Sequence, residues 1–156
     1  MCRDWENEAL RAEEYGVRVV LIRTGVVLGE HGGALAQMLL PFRLGLGGRL
    51  GNGRQYMSWI HIDDLTAIML YAMENQNLRG PVNAVTPLPV TNSEFTRALA
   101  ATLHRPALLP APGFALKLIL GEFSEVLPQH IIPEALQQAG YSYTFPAIDD
   151  ALKNLL

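Results

Sequence analysis

The stretch VRVVLIRTGVVLGEHGG, residues 17–33, decides how the rest of the chain is read. It opens with VRVVLI (17–22), an apolar, β-branched run. Such runs sit in parallel sheets, covered on both faces. RTGVVLGEHGG (23–33) follows and reads as a loop, with Gly25, Gly29, Gly32 and Gly33 as its breakers. Arg23 closes the strand, and Thr24 and Gly25 come directly after it. In open α/β sheets ligands bind beyond the carboxyl ends of the strands. The 24–29 segment is therefore the best-placed functional segment on geometric grounds; its alternative is a tight turn packed by glycine.

Upstream of this stretch, residues 3–15 read as a highly charged helix stopped by Gly16. Downstream, ALAQMLLPFRLGL (34–46) has an apolar helical pattern that Pro41 kinks or ends, and GGRLGNGRQ (47–55) is a glycine-rich loop. YMSWIHI (56–62) alternates as a strand does. DDLTAIMLYAMENQ (63–76) reads as a helix with Asp63 or Asp64 as its N-cap. GPVNAVT (80–86) is a short strand. Thr91 and Glu94 form a capping box that opens a helix over 92–103. RPALLPAPG (105–113), with three prolines, reads as a linker or extended segment and FALKLILGEFSEVL (114–127) as a helix. Pro133 sits at the first turn of a short helix closed by Gly140. YSYTFP (141–146) is a strand or an extended piece, and AIDDALKNLL (147–156) is an amphipathic helix. This βαβ-like order argues for an α/β fold. The strand nearest the start is also the most buried-looking one, and a central parallel strand needs neighbours on both edges. Strands upstream of it are the expectation.

The composition narrows the function classes. The 156 residues are 49% hydrophobic and 17% charged, against roughly 25% charged in an average soluble protein. A disordered tail is excluded. A net charge of −3 offers no general attraction for nucleic acid or an anionic membrane. The single cysteine, Cys2, allows no disulfide within the chain, and a reducing compartment follows as the simplest reading. His31, His61, His104 and His130 lie far apart with no ligand spacing, so no metal site is expected. Arg23 and Lys117 interrupt the longest apolar runs below the ~18 residues of a membrane span. No signal-peptide pattern opens the chain. A cytoplasmic protein with no nucleic-acid or membrane partner is expected.

The chemistry-bearing candidates each have a plainer reading. GLGGRLGNG (45–53) misses the G-x-G-x-x-G spacing and lies between a helix and a strand, the wrong context for a dinucleotide loop. Its amides still suit contact with a phosphate or a sugar; the plainer reading is a loop needing positive φ. Arg49 and Arg54 flank it and suit phosphate, or are solvated side chains. Asp63 and Asp64 read as an acid–base pair or, better, as helix caps. His61 in SWIHIDD is more often structural than catalytic. Ser58, Ser93, Ser124 and Ser142 sit in no G-x-S-x-G elbow, and no nucleophile triad is found.

RVVLIRTGVVLG followed by SWIHIDDLTAIMLYAM resembles the pattern of extended short-chain dehydrogenase/reductase proteins. CRDWENEA, RTGVVLGEHGGAL, PFRLGLGGRLGNGRQYMSWIHIDDL and PVNAVTPLPVTNSEF resemble its atypical, sugar-nucleotide-epimerase-like subfamily. The tail from about Arg105 resembles that subfamily's C-terminal domain of unknown function. The resemblance covers nearly the whole chain. It implies the C-terminal part of a Rossmann-type parallel sheet over residues 1–104 and a small, mostly helical C-terminal domain over 105–156. The half that carries the phosphate-binding loop for NAD or NADP is not in this sequence. The superfamily's Tyr-x-x-x-Lys would fall on the first helix, where Cys2 and Glu6 stand instead, and no Tyr-x-x-x-Lys occurs anywhere in the chain.

By the same resemblance, Thr24, Gly25, Val26 and Val27 lie against the nicotinamide end of the cofactor. Gly47, Gly48, Arg49, Gly51, Gly53 and Gln55, with His61, line the substrate side. Gln129 matches a Gln–Arg pair of the subfamily, and His130 replaces its arginine. The implied function is an NAD(P)-dependent epimerase, dehydratase or reductase acting on a nucleotide sugar or a similar small molecule. A non-catalytic dinucleotide-binding or sensor protein is the alternative. Self-association through the strand edge near 17–22 is also expected.

Overall fold

The computed structural model describes residues 2–107 and 130–156. Helix α1 (Cys2–Leu10) passes into a 3-10 turn over Arg11–Tyr15. Gly16, at φ 77°, ends it in the left-handed region that glycine enters freely. Then come β1 (Val20–Thr24), β2 (Val26–Gly29), α2 (Gly33–Arg43), β3 (Tyr56–Met57) and β4 (Trp59–His61). They are followed by α3 (Ile62–Glu74), β5 (Gly80–Ala84), β6 (Val90–Thr91), α4 (Asn92–Thr102), α5 (Glu134–Gln138) and α6 (Ile148–Leu155). The expected linker beyond residue 107, the helix at 114–127 and Gln129 lie outside the described residues.

The pairing is mainly parallel, as the apolar runs require. β1 lies parallel to β5 from Val20↔Gly80 to Thr24↔Ala84. β2 lies parallel to β4, with Val26 opposite Trp59 and Leu28 opposite His61. β3 and β6 form a short antiparallel pair. β1 and β2 follow one line of chain broken only at Gly25. At that break the line changes partner from β5 to β4. The Val26 amide donates to the Ser58 carbonyl at 2.8 Å, while the Thr86 amide, just past β5, donates to Trp59 at 2.7 Å. β4 therefore enters between two strands that part.

Period-2 alternation along β2 and β4 sends their side chains to two cores. Leu28 and Trp59 pack with α2, α4 and α6, where Leu35, Leu39, Phe95, Leu99 and Leu152 are buried. Val27 and Ile60 pack on the other side with Leu65, Ile68 and Ala72 of α3 and Leu136 of α5. In α6, Ile148, Ala151, Leu152 and Leu155 are buried at helical spacing. Residues 130–156 thus contribute to both cores.

Several expectations from sequence change. Residues 23–33 are not all loop, because Val26–Gly29 finds a ladder partner in β4. The first strand begins at Val20, since Arg18 caps α3 instead: its guanidinium donates to the carbonyls of Ala72, Met73 and Leu78 at 2.8, 2.9 and 3.0 Å. β1 is only half-buried, not covered on both faces. The 56–62 strand is two short strands with different partners. The N-cap of α3 is His61, whose Nδ1 accepts the Asp63 amide at 3.1 Å. Of the two alternatives for YSYTFP, the strand is not found: its Thr144 and Phe145 amides bond to the Asp64 side chain rather than to a ladder.

Candidate functional site

The parting of β1/β2 around β4 sets up the one strand-end junction that the sequence pointed to. Gly25 stands at its centre. A Cβ there would fall on the Ser58 carbonyl oxygen, with Ser58 C and Val85 Cγ1 each at 2.9 Å. Only glycine permits this approach. Thr24 is exposed beside it, and Val26 and Val27 are half-buried in the ladder. Just outside, Arg23 makes two hydrogen bonds to Glu6 at 2.6 and 2.7 Å. The guanidinium holds the Glu6 carboxyl below the usual carboxylate range. This pair fixes α1 over the strand.

Ser58 faces two ways. Its carbonyl takes the Val26 amide, and its hydroxyl accepts the Ile131 amide at 2.9 Å and donates to the Ile131 carbonyl at 3.4 Å. Asn83 of β5 donates from Nδ2 to the Ile132 carbonyl at 3.2 Å. Residues 130–132 are thereby laid across the junction, and the exposed His130 ring meets Tyr56 edge-on at 4.7 Å. Ser58, Asn83 and Ile131 were not identified as site residues from sequence. The available signal was a small polar residue, Ser58, directly before the apolar strand WIH, where a buried hydroxyl requires a partner.

The glycine-rich loop is folded onto the start of α4. The Leu50 amide donates to buried Asn92 Oδ1 at 2.7 Å, Asn92 N donates to the Gln55 carbonyl at 2.9 Å, and Gln55 Nε2 returns to the Leu50 carbonyl at 3.0 Å. Gly47 packs on the Phe42 ring, and Gly53, at φ 70°, packs on the Ser93 side chain. Gly51 takes φ 55°. Gly48 is buried, while Arg49 and Arg54 are exposed. Much of this loop's glycine content is thus explained by packing and turn geometry, with the two arginines left at its surface. The loop's exit leads through Tyr56 to Ser58, which joins it to the junction.

His61 is 1% exposed and stacks on Phe145 at 4.1 Å. Since its Nδ1 accepts, its neutral form carries the proton on Nε2, which has no partner among the described residues. Asp64 is fully buried and accepts the amides of Thr144 and Phe145 at 2.8 and 2.9 Å. It therefore holds the C-terminal segment, and Asp63 is exposed at the helix start. Among the described residues no group of His, Cys, Asp and Glu is arranged to hold a metal ion. None of their helices is long and apolar enough to cross a membrane.

Comparison with known proteins places this geometry. Residues 1–84 match the NAD dependent epimerase/dehydratase family, and residues 111–155 match a domain of unknown function, DUF1731. An epimerase family protein of Mycobacterium leprae is 44% identical over 97% of this chain and 50% of its own length. The mouse epimerase family protein SDR39U1 is 45% identical over 97% of this chain and 53% of its own length. A crystal structure of human SDR39U1 with NADPH superimposes with a TM-score of 0.82 at 42% identity, covering 89% of this chain and 48% of that one. The UDP-glucose 4-epimerase of Thermus thermophilus, solved with NAD, shares the fold at 19% identity with a TM-score of 0.70. The chain spans about half the length of the relatives it matches.

Proposed function

The chain belongs to the NAD dependent epimerase/dehydratase family, and on that premise we propose that it supplies the substrate-side half of an NAD(P)-dependent enzyme acting on a nucleotide-linked sugar or a similar small molecule. In this reading residues 1–104 are the C-terminal part of a Rossmann-type sheet and residues 105–156 a small, mostly helical C-terminal domain. The observation that carries it is the junction at Gly25, where β1 ends, β5 departs and β4 enters. Strands that part at their carboxyl ends leave room for a ligand.

The residues fit one end of a dinucleotide and not the other. Exposed Thr24, the close approach at Gly25 and the backbone of Val26 and Val27 at the start of β2 would border the nicotinamide end. The loop of Gly47, Gly48, Arg49, Gly51, Gly53 and Gln55 borders the substrate side, its buried glycines and Gln55 fixing its shape and the exposed Arg49 meeting a phosphate. His61 supports this side from within, as the cap of α3. The pyrophosphate of a Rossmann site needs a G-x-G-x-x-G turn opening a helix after a strand, and the 156 residues contain no such spacing. A bound dinucleotide supplies hydride chemistry; the chain's part is to orient the substrate and to exclude water. No catalytic residue is assigned.

A second reading is a dinucleotide-binding protein without turnover. It is favoured by one feature: no Tyr-x-x-x-Lys occurs in the 156 residues. The test uses the protein joined to the segment that precedes this region in its relatives. NADPH binding by calorimetry, with a change in cofactor absorbance on adding nucleotide sugars, supports the first reading. Binding with no such change across a panel of sugars supports the second. No dinucleotide binding overturns both.

A further inference from the structure

We propose that Ser58 is a positioning residue that ties the Gly25 junction to the C-terminal segment, so that residues 130–132 form the outer wall of the site. This rests on the reading that the junction faces the ligand. It also gives a definite task to the C-terminal region, whose family match is a domain of unknown function.

Ser58 is 7% exposed and stands between Met57 and Trp59, both core residues. A buried hydroxyl costs stability unless it is hydrogen-bonded. Here it is bonded at both polar edges of Ile131, a residue 73 positions away. The Ser58 carbonyl itself accepts the Val26 amide and lies against Gly25. Asn83 makes a second clasp on the adjacent Ile132 carbonyl. The two clasps come from opposite sides of the fork, one just before β4 and one from β5. They hold consecutive backbone groups, so the segment can neither slide nor rotate freely. His130 and Ile132 are both exposed, with the His130 ring edge-on to Tyr56. Any displacement of the Gly25–Val26 turn passes through the Ser58 backbone to this wall.

The test needs no ligand, so its outcome is separable from that of the dinucleotide experiment. Amide exchange and amide resonances are followed in the 156-residue chain. Ser58→Ala is expected to speed exchange of the Ile131 amide by about tenfold or more and to shift the Gly25 and Val26 resonances. Ser58→Thr restores both. Asn83→Ala loosens the 131–132 segment and leaves Gly25 and Val26 in place. Exchange in α6 stays unchanged throughout, which separates positioning from general loss of stability. Should Ser58→Ala fail to fold, Ile131→Pro removes the donor from the other partner and must give the same shifts at Gly25 and Val26. An Ile131 amide that exchanges at the wild-type rate in Ser58→Ala overturns the proposal. So does a released Ile131 with unmoved Gly25 and Val26.

Discussion

At Gly25 one hydrogen atom stands where every other residue carries a carbon, and the strand junction depends on it. Gly25→Ala forces Ser58 backbone or the Val85 side chain to give way. Overpacking of this kind costs about 1–3 kcal/mol. Gly32 is the control: its φ of −177° is extended and its surroundings are open. Gly32→Ala is expected to change stability by less than about 0.5 kcal/mol. Urea unfolding of the two variants checks this; equal midpoints would show that the approach at Gly25 is not tight. Asp64 is the second residue on which much depends. Among the described residues no cation pairs with it, and it is balanced by two backbone donors at the start of a helix, where negative charge is favoured. Asp64→Asn keeps the shape but turns one acceptor into a donor, leaving a buried amide unpaired at about 1–3 kcal/mol. The same unfolding assay reads it, and an unchanged midpoint would argue that the C-terminal segment is held by its packing alone.

The elements differ in how legible they are in the sequence, and the difference is one of distance along the chain. The capping box of α4 was readable because Thr91 and Glu94 are three residues apart and satisfy each other: Glu94 accepts the Thr91 amide at 2.7 Å. The faces of α3 and α6 follow from helical spacing. The α3 cap was not readable. Asp63 and Asp64 are better cap residues than His61 by preference, but Asp64 is drawn inward by amides 80 and 81 residues away. β2 was missed for the same reason, since glycines mark it as a loop locally and its ladder partner lies beyond α2. Of the candidate site, the strand-end position of Thr24 and Gly25 was legible, and the Ser58 clasp was not. The C-terminal segment 139–146 shows how such remote contacts add up. Tyr71 donates to the Ala139 carbonyl at 2.6 Å and Tyr143 to the Val85 carbonyl at 2.9 Å, with Tyr141 edge-on between the two rings. Burial, and then the Asp64 carboxylate, push the Tyr141 phenol up to about 12, and burial pushes Tyr143 higher still. A phenol whose folded value is raised binds its proton more tightly when folded than when unfolded. Its contribution is complete below the ordinary value of 10.0 and is lost as pH rises toward about 12. Melting temperature is therefore expected to fall through that window, and Tyr141→Phe to flatten the fall. A profile that is level to pH 12 would contradict the tyrosine cluster.

For the whole molecule the arithmetic of edges is decisive. β1 pairs with β5 on one side, and among the described residues nothing pairs with its other edge. Its side chains are half-buried at best. α1 buries no residue, and Trp5 on it is 68% exposed. A 156-residue chain that is 49% hydrophobic thus leaves open the very strand its sequence marks as central. The chain spans about half the length of its relatives, and within its 156 residues there is no G-x-G-x-x-G. Two consequences separate cleanly. Without a G-x-G-x-x-G turn to hold the pyrophosphate, residues 1–156 alone are expected to show no heat of binding with NADPH in calorimetry; micromolar binding would mean that the junction suffices. With a free parallel edge, the same chain is expected to associate, giving a light-scattering mass above 17.2 kDa. Leu21→Lys, which places a charge on that strand as natural edges do, should shift it toward monomer. A wild-type chain that is already a monomer at every concentration tested would show that the β1 edge is satisfied without a partner.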